Sequence, residues 1–131
     1  MENQISQYST AALAYLGDSV LEVKVRERLV KDGLSSSARL NSRALEFVTA
    51  PRQAEAMKNI LPHLTEEEEA VFKRGRNMGH SNTPKAATMA QYRAATGMET
   101  LFGYLHLKGD GERIDALFAL AYPAEENKDQ Q

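Results

Sequence analysis

The stretch Ala12-Leu13-Ala14-Tyr15-Leu16-Gly17-Asp18-Ser19-Val20-Leu21 decides how the rest of the chain is read. Ser9 or Thr10 can cap a helix running to about Lys31, with Leu13, Leu16, Val20, Val23 and Val30 expected along one side. Gly33 closes it, at the position where a left-handed residue costs least. Gly17 and Asp18 interrupt this pattern. Both are poor mid-helix residues, and Gly alone costs about 1 kcal/mol relative to Ala. The same anomaly recurs in Thr96-Gly97-Met98-Glu99-Thr100-Leu101-Phe102-Gly103, an acid among glycines in a long apolar helix. These two most apolar helices belong at the centre of a bundle. Their glycines permit a backbone approach close enough to set Asp18 beside Glu99.

Two facing carboxylates in a half-buried site repel and raise one pKa unless a cation lies between them. Oxygen ligands without His or Cys suit a hard ion, Mg²⁺ or Mn²⁺, that keeps several waters. Such an ion acidifies water and stabilises charge developing on a phosphate. The plainer reading has both acids facing solvent or paired with Lys or Arg.

Elsewhere the periodicity is also helical, and the fold class expected is an all-α bundle. Ser35 to Ser37 restart the chain into a helix carrying Leu40, Ala44, Phe47 and Val48. Pro51 opens the next, which carries Met57, Ile60 and Leu61 before Pro62 stops it. Thr65 with Glu68 reads as a capping box, so the run Glu66 to Glu69 is a helix start and not a metal cluster. That helix ends near Arg76. Asn77 to Pro84 is dense in turn formers and reads as an exposed loop. A long helix follows from about Thr88 to Leu107, closed by Gly109, and the last runs from Glu112 to about Tyr122. Strand-like alternation is missing. The organisation expected is an extension over 1–8, one domain over 9–122 and a polar tail over 123–131.

Composition sets the outer bounds. The chain has 131 residues, 42% of them hydrophobic, which fits one globular core. With no cysteine there is no disulfide framework, thiolate zinc site or cysteine nucleophile. No apolar run reaches membrane-spanning length, and Met1-Glu2-Asn3-Gln4 has no signal-peptide character. A cytoplasmic protein without a membrane partner is expected. The net charge of −2 conceals a polarised distribution. Ala70 through Met98 holds no acid but includes Lys73, Arg74, Arg76, Lys85 and Arg93, a local charge of +5 in a chain otherwise acidic. Such a patch can hold a polyanion; chance clustering on a solvated loop is the plain alternative.

The first quoted stretch resembles the signature helix of ribonuclease III domains. Phe72-Lys73-Arg74-Gly75-Arg76-Asn77, then Thr83-Pro84-Lys85, then Tyr92-Arg93-Ala94-Ala95-Thr96-Gly97-Met98-Glu99-Thr100-Leu101-Phe102-Gly103-Tyr104-Leu105 is similar to Mini-ribonuclease III, the short bacterial branch that lacks a separate RNA-binding domain. The resemblance covers about Gln7 to Tyr122. It implies a ribonuclease III endonuclease domain, a helical homodimer that cuts double-stranded RNA with a divalent metal. The ends left are 5′-phosphate and 3′-hydroxyl, and the branch matures large-subunit (23S) ribosomal RNA precursors. Asp18 falls on the signature aspartate and Glu99 on the metal-binding glutamate. Tyr15 falls where longer relatives place an aromatic knob that enters the partner subunit. Two departures stand out. Longer family members carry a glutamate at the position of Ala14 and an aspartate at that of Thr96, which favours one ion per site here over two.

The reaction expected is therefore phosphodiester hydrolysis, with Mg²⁺ held by Asp18 and Glu99. Lys73, Arg74, Arg76 and Lys85 would meet phosphates, as would His80, while Asn77, Ser81 and Thr83 reach 2′-hydroxyls. Arg93 fits either RNA or an internal pair; His63, His106 and the methionines 78, 89 and 98 read as structural. One carboxylate pair cannot cut both strands, so a symmetric dimer is expected, with Leu13, Tyr15 and Leu16 at its interface. The sequence leaves open whether a ribosomal protein must first shape the RNA. Two rivals remain: a non-catalytic RNA-binding or ribosome-assembly module of the same fold, and a helical protein-interaction domain whose basic loop meets an acidic partner.

Overall fold

The structure, a computed structural model, describes residues 7–79 and 86–124. Among them are α1 (Thr10–Lys31), α2 (Ser37–Val48), α3 (Ala50–Ile60), a 3-10 turn (Leu61–His63), α4 (Glu66–Arg76), α5 (Met89–Lys108) and α6 (Gly111–Ala121). No strand occurs among the described residues. Each helix starts where a side-chain oxygen can satisfy an otherwise orphaned N–H. Ser9 accepts from the Ala12 N–H at 3.0 Å; Ser36, Thr49 and Asp110 do the same for α2, α3 and α6. Thr65–Glu68 and Thr88–Gln91 form reciprocal capping boxes at α4 and α5. Gly33 (φ 96°) and Gly109 (φ 80°) end α1 and α5 in the left-handed region.

α5 is the axis of the molecule. From Ala95 to Leu105 every residue except Glu99 is buried. Met98, Leu101 and Phe102 are fully enclosed, each contributing about 1.5–3 kcal/mol of burial. The threonines in this stretch spend their hydroxyls on the helix itself: Thr100 donates to the Thr96 carbonyl at 2.7 Å, and Thr96 to that of Tyr92 at 3.1 Å.

Glycine sets how closely the helices meet α5. A Cβ on Gly17 would stand 1.6 Å from the Glu99 carbonyl oxygen, and one on Gly103 would stand 2.0 Å from that of Leu13. At this crossing α1 and α5 run antiparallel in direct main-chain contact. On another side of α5, Gly75 faces Gly97 and Thr100, while Gly97 receives the Phe72 ring.

The buried side of α1 accordingly differs from the expected stripe. It runs through Leu13, Gly17, Val20, Leu21, Val25 and Leu29, and Val23 and Val30 are exposed. Apolar spacing gives Gly17 no weight, yet the contact at Gly17 is what sets the rotation of the helix. Pro62 lies inside the 3-10 turn and so redirects the chain beyond α3 without ending helical structure at once.

α6 is fastened by polar contacts. Arg113 bonds both oxygens of buried Glu68 at 2.8 Å and the His63 carbonyl at 2.8 Å. Asn59 donates to the Ala121 carbonyl at 3.0 Å, Arg28 donates to that of Tyr122, and the Tyr122 hydroxyl donates to the Phe47 carbonyl at 3.0 Å.

Gly17→Ala should therefore abolish folding, or lower the unfolding free energy by about 4 kcal/mol or more. Gly111→Ala, with nothing within 4 Å of its new methyl, should change it by less than about 1 kcal/mol. Urea unfolding of the two variants checks this, and equal stabilities would contradict the crossing.

Candidate active site

The α1–α5 crossing leaves two acids at its edge. Asp18 follows Gly17 and is exposed; Glu99, whose own carbonyl is the contact atom, is the one residue of the central α5 stretch that is not fully covered. Their carboxyl groups are neighbours, close enough for Asp18 to act on the ionisation of Glu99. A third side chain completes the cluster: Gln53, from the first turn of α3, is buried, and its amide is near enough to favour the charged form of Glu99. Burial first, then the adjoining Asp18, pushes the Glu99 carboxyl from its ordinary 4.5 up to about 7, against the opposing effect of the Gln53 amide.

Two adjoining acids at a solvent-facing edge are the donor set a hard divalent cation fits: oxygen ligands only, open on one side. No group of three or more His, Asp or Glu side chains suited to a metal occurs among the described residues. Water would thus supply most of an ion's coordination, as Mg²⁺ prefers.

The basic candidates sit on the last turn of α4, where the helix dipole favours cations. Lys73 is exposed and pairs with Glu69 at 3.1 Å. Arg74 donates to the Tyr8 carbonyl at 3.1 Å and to Thr10 Oγ1 at 3.2 Å, tying the chain before α1 to α4. Arg76 lies 5.9 Å over the Phe72 ring, and its Nε donates to exposed Asn77 at 3.1 Å. Arg74 thus has a structural duty that the charge pattern did not reveal. Thr10 is eight residues before Asp18, about 12 Å along α1, so this bond joins the basic end of α4 to the acid-bearing helix. His80, Ser81, Thr83 and Lys85 lie outside the described residues. Arg93 is exposed.

The chain matches the model of the ribonuclease III domain over residues 11–110. It belongs to the ribonuclease III family. Among its relatives, the Mini-ribonuclease 3 of Symbiobacterium thermophilum is 44% identical over 109 residues, 83% of this chain and 84% of that protein. The Mini-ribonuclease 3 of Enterococcus faecalis is 42% identical over 113 residues, 85% and 86% of the two chains. A crystal structure of a Fusobacterium nucleatum protein superposes with a TM-score of 0.82 at 28% identity, covering 90% of this chain and 96% of that one. The ribonuclease III domain seen here is thus that of an endoribonuclease, and the expected all-α endonuclease fold holds. No helix among the described residues is long and apolar enough to cross a membrane.

One expectation for this domain needs correction. Leu13 is wholly enclosed, covered by α5 at the Gly103 contact, and has no surface to offer a second subunit. Tyr15, 84% exposed, and half-buried Leu16 do reach the outside of α1. Gln53 was missed, because nothing in its local sequence distinguishes it from a surface residue of a short polar helix.

The raised Glu99 carboxyl links stability to pH. Its folded-state value exceeds its unfolded one, so its contribution is present below about pH 4.5 and is lost as pH rises towards 7 and beyond. The full window is worth up to ~3 kcal/mol. In metal-free buffer at pH 8, Glu99→Gln should melt about 5 °C or more above the unmodified protein. Near pH 4.5 the two melts should coincide, and an equal difference at both pH values would refute the assignment.

Proposed function

We propose that the protein is a divalent-metal-dependent endoribonuclease that cuts double-stranded RNA as a homodimer, leaving 5′-phosphate and 3′-hydroxyl ends. The proposal takes Asp18 and Glu99 as the residues that hold Mg²⁺, or Mn²⁺, and rests chiefly on one observation. Two acids from separate helices adjoin each other at an open edge, where a cation would relieve their repulsion. When bound, such an ion supplies activated water and charge neutralisation for phosphodiester hydrolysis.

The chain's own groups have distinct tasks in this reading. Asp18 and Glu99 provide the negative charge; the backbone contact at Gly17 fixes their separation. Lys73 and Arg76, with Lys85 and His80, meet backbone phosphates, a contact that gives affinity and little sequence information. Asn77, Ser81 and Thr83 take 2′-hydroxyls in the wide minor groove of A-form RNA. Arg74 contributes charge from a fixed position. Two copies are required because one carboxylate pair serves one strand, and Tyr15 with Leu16 on α1 is the apolar surface assigned to that contact. The precursor of 23S ribosomal RNA as natural substrate is what the resemblance to Mini-ribonuclease III implies, and the cytoplasm as the place of action is the expectation from the sequence.

Long duplex RNA incubated with the purified chain should be cut in Mg²⁺ and left intact in chelator. Asp18→Asn should slow the cut at least about a hundredfold, ~2.7 kcal/mol of transition-state stabilisation, while the variant still binds duplex with a steep salt dependence. Equal cutting by Asp18→Asn would remove the acids from the chemistry. Binding without any Mg²⁺-dependent cutting by the unmodified protein would favour a non-catalytic module. Sedimentation at micromolar concentration should show a dimer, and Tyr15→Asp should make it a monomer.

A further inference from the structure

Gln53 is the polar side chain that least suits its surroundings. On α3 it shares the buried face with Ala56, Met57 and Ile60, and it is 5% exposed. A buried amide costs free energy unless hydrogen-bonded, and an apolar residue would pack this face against α5 without that cost. The polar group this amide adjoins is the Glu99 carboxyl, whose charged form it favours.

The turn that carries Gln53 is held from several directions. Thr49 caps it, with its Oγ1 accepting from the Arg52 N–H at 3.4 Å, and the Gln53 N–H donates to the Thr49 carbonyl at 2.9 Å. Pro51 occupies the first turn. The Arg52 guanidinium lies 5.3 Å from the Tyr122 ring centre and 5.9 Å from that of Phe47. A side chain on so constrained a turn offers its donor from a fixed direction.

We propose that Gln53 is the positioning residue of the acid pair: its amide donates to the Glu99 carboxyl from the covered side, holding that carboxyl turned towards Asp18 for a divalent cation. This rests on the metal-dependent reading above. Gln53 itself touches neither the ion nor the RNA. The bond orients the carboxylate before any cation arrives, so that less ordering remains for the binding step. Partners of this kind are worth about ten- to a hundredfold in metal affinity.

The test uses the full chain and Mn²⁺ alone, followed by water-proton relaxation without RNA. Gln53→Met keeps the length and bulk of the side chain and removes the donor. The variant should fold, bind Mn²⁺ about ten- to a hundredfold more weakly, and cut duplex RNA with a lower kcat and unchanged KM at fixed Mg²⁺. A folded Gln53→Met that binds Mn²⁺ as tightly as the unmodified protein overturns the role of Gln53 and leaves the metal reading standing. An unmodified protein that binds no Mn²⁺ overturns both. Should Gln53→Met fail to fold, the side-chain amide of Gln53 is followed by nuclear magnetic resonance in the unmodified protein during Mg²⁺ titration. It should shift with the binding curve and stay still in Asp18→Asn; no shift in the unmodified protein overturns the proposal.

Discussion

The contact between the main chains of α1 and α5 is the constraint on which the site depends. With Gly17 set against the Glu99 carbonyl and Gly103 against that of Leu13, the helices approach as closely as backbones can. Residues beside such a contact have little choice of position. Asp18 must emerge at its rim, and Glu99 must emerge beside it. The separation of the two acids is fixed by rigid helices and not by loops, which is the arrangement that holds a reactive geometry most tightly.

The cost of that arrangement shows in a comparison of two glutamates. Glu68 is 5% exposed, yet its carboxyl is held below the ordinary range, first by hydrogen bonds from Arg113. Glu99 moves the opposite way, first because its carboxyl is buried and then because Asp18 adjoins it. Burial raises both carboxyls; the direction turns on whether a neighbour outweighs it. Glu68 meets a bidentate guanidinium and its capping-box N–H, whereas Glu99 meets another acid with a single amide in support. One glutamate fastens α4 to α6 and the other strains the centre. The capped helix starts and the side chains of Arg28 and Asn59 on the last carbonyls around α6 supply stability away from the strained site.

What could be read from the sequence was whatever leaves a local mark. The Thr65–Glu68 box, Gly33 and Gly109 as helix ends, and two apolar helices broken by glycine and acid are local patterns, and each has its counterpart in the fold. The nearness of Asp18 and Glu99 followed because the anomaly occurred twice. Other features are tertiary and left no such mark. Val23 and Val30 look like core by spacing, but the rotation of α1 is set by where Gly17 meets α5. Leu13 looked free for a partner because its periodicity gives a face without saying which neighbour covers it. Arg74 looked like a phosphate contact, and its bonds to Tyr8 and Thr10 depend on how α4 leans on α1. Gln53 is invisible for the same reason: its meaning comes wholly from a residue 46 positions away.

The two positions where longer relatives carry further acids bear on how many ions the site suits. Ala14 is 8% exposed and Thr96 is 6% exposed. Each lies near the crossing, Ala14 one turn before Asp18 on α1 and Thr96 three residues before Glu99 on α5. Thr96 has already committed its hydroxyl to the Tyr92 carbonyl. A carboxylate at either place would be a third charge in space that already drives one acid to about 7, and without a second cation it would have to stay protonated. Ala and Thr remove that demand. The pair of acids that remains balances the charge of one divalent ion, and the small neutral residues beside it let the helices stay close. Reduction of the acidic set and close packing are then two aspects of one solution, and in the metal-dependent reading proposed above a single ion per site would meet the charge of the pair.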